Sequence, residues 1–279
     1  MVFLAALVLQ ATSDDAVRKL IEQLSADRIE ARAEAYRKLE EVGRPALPLL
    51  RKAASDPDDE VSSRARTLLI RIPIREHLTP ALLAGVPGIY DRLAGGDWRA
   101  VFLDIAGDVR QPEGRRKYPG VRPDDLSFMA PMALDCSREP AERVAVCQAI
   151  GRLRLRAAIP SILKLLPDEN VAVRTNAIGA LRDLDAREEA AALRPFLTDP
   201  NVLIRSVAAH AVGRLGDAES VPGLRKLLGD ESANVRWWAA RALGDLKARE
   251  AADDLARLAQ DPDESVRRIA AEILKGWIK

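Results

Sequence analysis

Asp199-Pro-Asn-Val-Leu-Ile-Arg-Ser-Val-Ala-Ala-His-Ala-Val-Gly-Arg-Leu-Gly-Asp217 decides the fold, because its frame returns at a fixed interval. Arg143, Arg174, Arg205, Arg236 and Arg267 each lie 31 residues after the one before. Three positions on stand Val146, Ala177, Ala208, Ala239 and Ala270; seven on stand Ile150, Leu181, Val212, Leu243 and Leu274. Ten on come Leu153, Leu184, Leu215, Leu246 and Trp277. Apolar residues at these spacings mark one face of a helix. A second apolar set steps by the same interval between copies: Ile162, Leu193, Leu224 and Leu255, then Leu165, Phe196, Leu227 and Leu258. Each unit is therefore two amphipathic helices, too thin to bury its own faces. Only stacking covers them, which predicts an all-α solenoid of stacked antiparallel helix pairs, about six to seven repeats with an irregular middle section.

Outward from this block the pattern thins. Residues 136–279 form the regular 31-residue repeats, and residues 13–73 carry a looser version. There Arg32 precedes Ala35, Leu39 and Val42, and Ser62 takes the arginine slot ahead of Ala65 and Leu69. Helices are expected over residues 14–25, 28–42, 45–54 and 59–72. Residues 74–135 read as a degenerate repeat with a long basic loop. Its two helices are expected over 79–93 and 98–109, with Phe102, Ala106 and Val109 in the frame of Arg99. The Gly-, Pro- and Arg-rich stretch 107–125 is not expected to continue a helix. Residues 1–12 are a possible signal segment or an N-terminal cap. Their apolar run is too short to span a bilayer. Its length suits an exported, periplasmic chain, although no Lys or Arg precedes it; a cytoplasmic chain with a capping first helix is the alternative.

The composition supports this reading. The chain is 48% hydrophobic but only 4% aromatic, so its core is aliphatic. A formal net charge of +1 argues against nucleic acid or an anionic membrane surface as partner. Cys136 and Cys147 are too few for a disulfide framework and are expected to be buried free thiols, a single bridge between them being the alternative.

The repeat resembles a HEAT repeat. The residues carrying the likeness are an Asp six positions before each arginine, in Asp168/Arg174, Asp199/Arg205, Asp230/Arg236 and Asp261/Arg267. The interval is shorter than that of typical HEAT repeats and is similar to the short bacterial HEAT-like repeats, including those of phycobilisome bilin lyases. The likeness is close over residues 139–279, loose over 15–72, and absent across 73–135. It points to fold rather than function. Each Asp is expected to accept from the N-terminal amides of the second helix of its unit, the one that carries the arginine. Each Arg is expected to reach that Asp or its neighbour's, giving a structural charge ladder of exposed pairs.

No phosphate loop, dinucleotide fingerprint, EF-hand or nucleophile elbow is present. Two histidines, His77 and His210, exclude a His-rich metal site, and the cysteine spacing is unlike a zinc module. No catalytic residue, cofactor or metal ligand is therefore expected. Gly151, Gly213 and Gly244, eight positions after their arginines, read as close helix packing.

The resemblance implies that the second helices line the concave side. Positions one, two and five after each arginine are then left facing outward. They supply a candidate binding stripe of Asn176, Val207, His210, Trp237, Trp238, Arg241 and Arg268. Trp237 and Trp238 point about 100° apart on a helix, so at least one is expected to be partly exposed. Aromatic and Arg side chains together are typical of binding hot spots. The alternative is that both tryptophans only pack. Arg115, Arg116, Lys117 and Tyr118 form a second candidate, a basic loop able to grip an acidic partner or simply a solvated loop. The expected function is a non-catalytic scaffold, monomeric and without a membrane span, that binds a protein or peptide. The alternative is a HEAT-like enzyme or enzyme subunit, bilin lyase-like or DNA-glycosylase-like.

Overall fold

A computed structural model describes residues 13–277. The apolar run read above as a signal or cap lies outside them. Among the described residues there is no strand, and the fold is an α-solenoid of helix pairs. No described helix is long and apolar enough to cross a membrane. The chain divides into two compact units, one ending at Val101 and taking back Tyr118–Val121, the other holding Phe102–Lys117 and the chain from Arg122 onward.

The first unit contains α1 (Asp14–Glu22), α2 (Ile29–Val42), α3 (Leu47–Ala53), α4 (Asp59–His77), α5 (Pro80–Gly85) and α6 (Ile89–Ala94). Local chemistry sets the starts. The Ser13 hydroxyl accepts from the Ala16 amide, and the Asp58 carboxylate accepts from Glu60 and Val61 at the head of α4. Val17, Leu24, Leu39, Leu50 and Leu68 close one apolar core. Burial of each large aliphatic side chain contributes about 1.5–3 kcal/mol. Two expectations need correction. Helix α4 does not stop at Ile72 but runs through Pro73 to His77; Ile72 and Ile74 are both buried, and that packing outweighs the missing proline donor. The single helix expected over 79–93 is two, separated at Gly88, which adopts a left-handed φ of 66° just after Pro87.

The division falls within α7 (Trp98–Asp108). Phe102, Ala106 and Val109 are buried, as the register of Arg99 predicts. The second unit continues with α8 (Met129–Asp135), α9 (Pro140–Leu153), α10 (Ile159–Leu163), α11 (Val171–Asp183), a 3-10 segment Arg187–Thr198, α12 (Val202–Leu215), α13 (Val221–Leu227), α14 (Ala233–Asp245), α15 (Ala252–Arg257) and α16 (Glu264–Trp277). The long helices stack in series, α9 on α11, α11 on α12, α12 on α14, and α14 on α16. Ile150, Leu181, Val212 and Leu243 fill equivalent, fully buried slots in successive layers, and Ile162, Leu193, Leu224 and Leu255 do the same in the other layer.

That other layer is less regular than the apolar spacing suggests. Its helices are short and begin with a 3-10 turn, and Arg187–Thr198 is 3-10 throughout, with Pro195 inside it. Leu165 and Phe196 are only half-buried, while Leu166 and Leu197 take the core position.

Helices α9, α11, α12 and α14 end in one recurring turn. Arg154, Asp185, Gly216 and Lys247 all have positive φ, of 56°, 50°, 79° and 53°. The amides of Leu155, Ala186, Asp217 and Ala248 then reach back to the carbonyls of Ile150, Leu181, Val212 and Leu243. This bond satisfies carbonyls that the helix end leaves open.

Candidate functional site

The Asp–Arg ladder is built differently from the expectation. Asp168, Asp199, Asp230 and Asp261 do not cap the long helices; each accepts the amide two residues on, from Asn170, Asn201, Ser232 and Asp263. Asn170, Asn201 and Asp263 are the side-chain caps, holding the first helical amides. Each arginine then donates to the backbone carbonyl of its own repeat's Asp, as Arg174 does to Asp168 at 2.7 Å and Arg236 to Asp230 at 2.8 Å. The other nitrogens of Arg174, Arg205 and Arg236 reach the carboxylate of the following repeat. Arg205 meets Asp230 at 2.8 and 3.0 Å, and Arg236 meets Asp261 at 2.7 and 2.8 Å, both two-pronged.

These pairs are not exposed, which is a second correction. The Arg236 side chain is 11% exposed and that of Asp261 4%. The Arg236 hydrogen bonds hold the Asp261 carboxyl below the usual carboxylate range. At Asp230 burial opposes ionisation, but the bonds from Arg205 outweigh it and the direction is again downward. The ladder thus fastens one layer to the next.

The stripe residues stand on α11, α12, α14 and α16. His210 stacks on Trp238 with ring centroids 3.9 Å apart and planes 17° from parallel. Trp237 meets Trp238 edge-on at 4.7 Å. Both indoles are half-buried. Asn176 accepts from Gln148 at 3.0 Å and donates to the Ala172 carbonyl. Val207 is half-buried, Arg241 is exposed and pairs with Asp245 at 3.2 Å, and Arg268 is exposed. Ser206 and Ile269, at the same repeat offsets, are instead buried.

His210 is held by Arg182, whose Nη1 lies 3.1 Å from Nδ1. A guanidinium only donates, so Nδ1 is the unprotonated acceptor. Burial first, then the charges of Arg182 and Arg214, hold the imidazolium down at about 4. The ring is neutral at physiological pH.

Two open clefts meet at His210 and Arg214. One, of about 250 Å³, is walled by Trp237, Trp238, Arg241 and Asp245. The other, of about 490 Å³, is walled by Arg154, Arg182, Asp183, Asp185 and Arg187. Sequence reading missed this second cleft. It considered offsets one, two and five from the repeat arginine, whereas the cleft is built at offsets eight to thirteen, where long helices end. The recurring charges at 152, 154, 182, 187 and 214 were the available signal.

The basic loop is ordered by its own residues. Arg116 donates to the carbonyls of Val109 and Gln111, and the Lys117 amide and ammonium reach Asp108 and Asp104. Tyr118, expected on display, is buried at 3% exposure. Arg115 is exposed. Cys147 is buried, which pushes its thiol up to about 12, but Cys136 is exposed rather than buried. Among the described residues no group of three or more His, Cys, Asp and Glu side chains stands close enough to hold a metal.

Residues 132–212 and 190–275 match the family model of HEAT repeats. Among solved structures, the complex of CpcE and CpcF of phycocyanin lyase from Nostoc is similar. It is 23% identical, over 60% of this chain and 68% of that one, with a TM-score of 0.51. Human deoxyhypusine hydroxylase in complex with glycerol is 19% identical over 98% of this chain and 99% of that one, with a TM-score of 0.39. None of the curated proteins matches the chain.

Proposed function

The chain belongs to the HEAT-repeat family, and from that premise we propose that it is a non-catalytic scaffold that binds a partner protein or peptide on the second-helix face of its C-terminal unit, the concave face. The observation carrying this reading is the half-exposed aromatic cluster of Trp237, Trp238 and His210, flanked by the exposed Arg241. Rigid aromatic surface next to Arg is the chemistry of interface hot spots: it buries much apolar area at little entropic cost. The cluster is held in place from behind. Ala239 and Leu243 are buried in the stack, and Arg182 fixes the His210 ring. The neighbouring fold of CpcE and CpcF is itself a complex of two chains, which agrees with a protein partner.

Affinity capture with wild type and with Trp237→Ala plus Arg241→Ala tests the reading. The wild type is expected to recover a specific protein that the double variant loses while keeping its circular dichroism. Equal recovery by both forms would contradict it. A lyase-like role is distinguished in the same preparation, because only that role predicts that the chain binds a linear tetrapyrrole, read by absorbance.

A further inference from the structure

We infer that the cleft between Arg154, Arg182, Arg187 and Arg214 receives an acidic segment of the partner protein, its Asp or Glu carboxylates pairing with Arg154 and Arg214. This rests on the reading that the second-helix face binds a protein.

The charge balance of the cleft carries the inference. Four guanidinium groups face two carboxylates. Arg182 is committed to Asp183 at 2.7 Å and to His210, and Arg187 to Asp185 at 3.0 Å. Arg154 and Arg214 are exposed and have no carboxylate in ion-pair range among the described residues. His210 adds no charge of its own. An excess of two positive charges is thus held at the helix ends, with no carboxylate among the described residues pairing with Arg154 or Arg214.

Arg154 sits in the recurring left-handed turn, φ 56°, that Gly216 fills two repeats later at φ 79°, so glycine can replace it there without backbone strain.

The shape selects the occupant. His210 and Arg214 belong to both clefts, so the cationic one opens directly onto the tryptophan-walled one. A carboxylate beside an apolar side chain matches that pair of surfaces. Asp183, Asp185 and the net charge of +1 disfavour a continuous polyanion such as duplex DNA.

The test uses fluorescence anisotropy of the full chain at low salt. The probe is a short fluorescein-labelled peptide with Glu residues on both sides of one Phe, compared with its Gln counterpart. Wild type is expected to bind the Glu peptide and not the Gln peptide, and added salt should weaken binding. Arg214→Glu should weaken it by at least about tenfold, an effect expected for reversing an interfacial charge. Arg154→Gly should also weaken it while raising the melting temperature, which separates lost binding from lost folding. The inference is overturned if wild type does not prefer the Glu peptide, if both variants bind it as wild type does, or if duplex DNA binds more tightly. Any of these outcomes, with capture still lost on Trp237→Ala plus Arg241→Ala, leaves the scaffold reading standing. Loss of that dependence sinks the scaffold reading itself.

Discussion

At the scale of single residues, the closest helix approach is the most demanding. A Cβ built on Gly213 would stand 2.6 Å from the Cα of Ala242, in backbone that cannot move without separating α12 from α14. Gly213→Ala is therefore expected to destabilise by about 1–3 kcal/mol, despite alanine's better helix propensity. At Gly151 the nearest atom to a new Cβ is 3.4 Å away, an ordinary contact. Gly151→Ala should be neutral or stabilising by up to about 1 kcal/mol. Urea unfolding of the two variants checks the contrast. His210 gives a pH signature. Folded, it stays neutral down to about 4, whereas the unfolded chain takes up its proton near 6.5. Protons then favour the unfolded state, so stability should fall between pH 6.5 and pH 4. Allowing for solvent screening of a half-exposed ring, the loss is on the order of 1 kcal/mol. His210→Gln should flatten this window; a slope unchanged in the variant would count against the assignment. The glycine offsets were legible in the sequence because they recur with the arginines. The environment of His210 was not, since Arg182 and Arg214 reach it from offsets where no apolar residue marks the register.

At the scale of elements, the ladder and the helix ends carry the specificity of stacking. Asp261→Asn leaves the nearly buried Arg236 without its countercharge and is expected to cost about 2–3 kcal/mol in urea unfolding. Glu34→Gln breaks the exposed Glu34–Lys38 pair and should leave the unfolding midpoint unchanged. Because the Asp230 and Asp261 carboxyls are held low, their contribution is present at neutral pH and fades only as pH falls below about 3.8, beneath the histidine window. That each Asp and Arg belonged together could be read from their constant separation. Which groups they touch could not, because the arginine divides its donors between its own repeat's carbonyl and the next repeat's carboxylate. The long helices were equally legible, having a clean apolar frame and, at α11, α12 and α16, Asn or Asp caps. The short helices were not. Their apolar spacing fits an α-helix and a 3-10 turn alike, and prolines at 48, 160, 195 and 222 favour short, mixed windings.

At the scale of the molecule, the second unit is a series of equivalent layers, each covering the apolar face of the one before. Such a fold needs no special chemistry to stand, which frees its second-helix surface to vary. Trp237 and Trp238 are the largest side chains at those offsets, His210 stacks on Trp238, and Arg214, without a carboxylate partner among the described residues, lies beside them. The claim that this surface is the binding site is tested most directly by photo-cross-linking in the source cells. A benzophenone-bearing phenylalanine analogue is placed either at Asn234, exposed on α14 one turn before the tryptophans, or at Leu83, exposed on α5 in the other unit. Light-dependent attachment of a discrete partner from position 234, and none from position 83, is the predicted result. A partner attached only from position 83, or none from position 234, would contradict it.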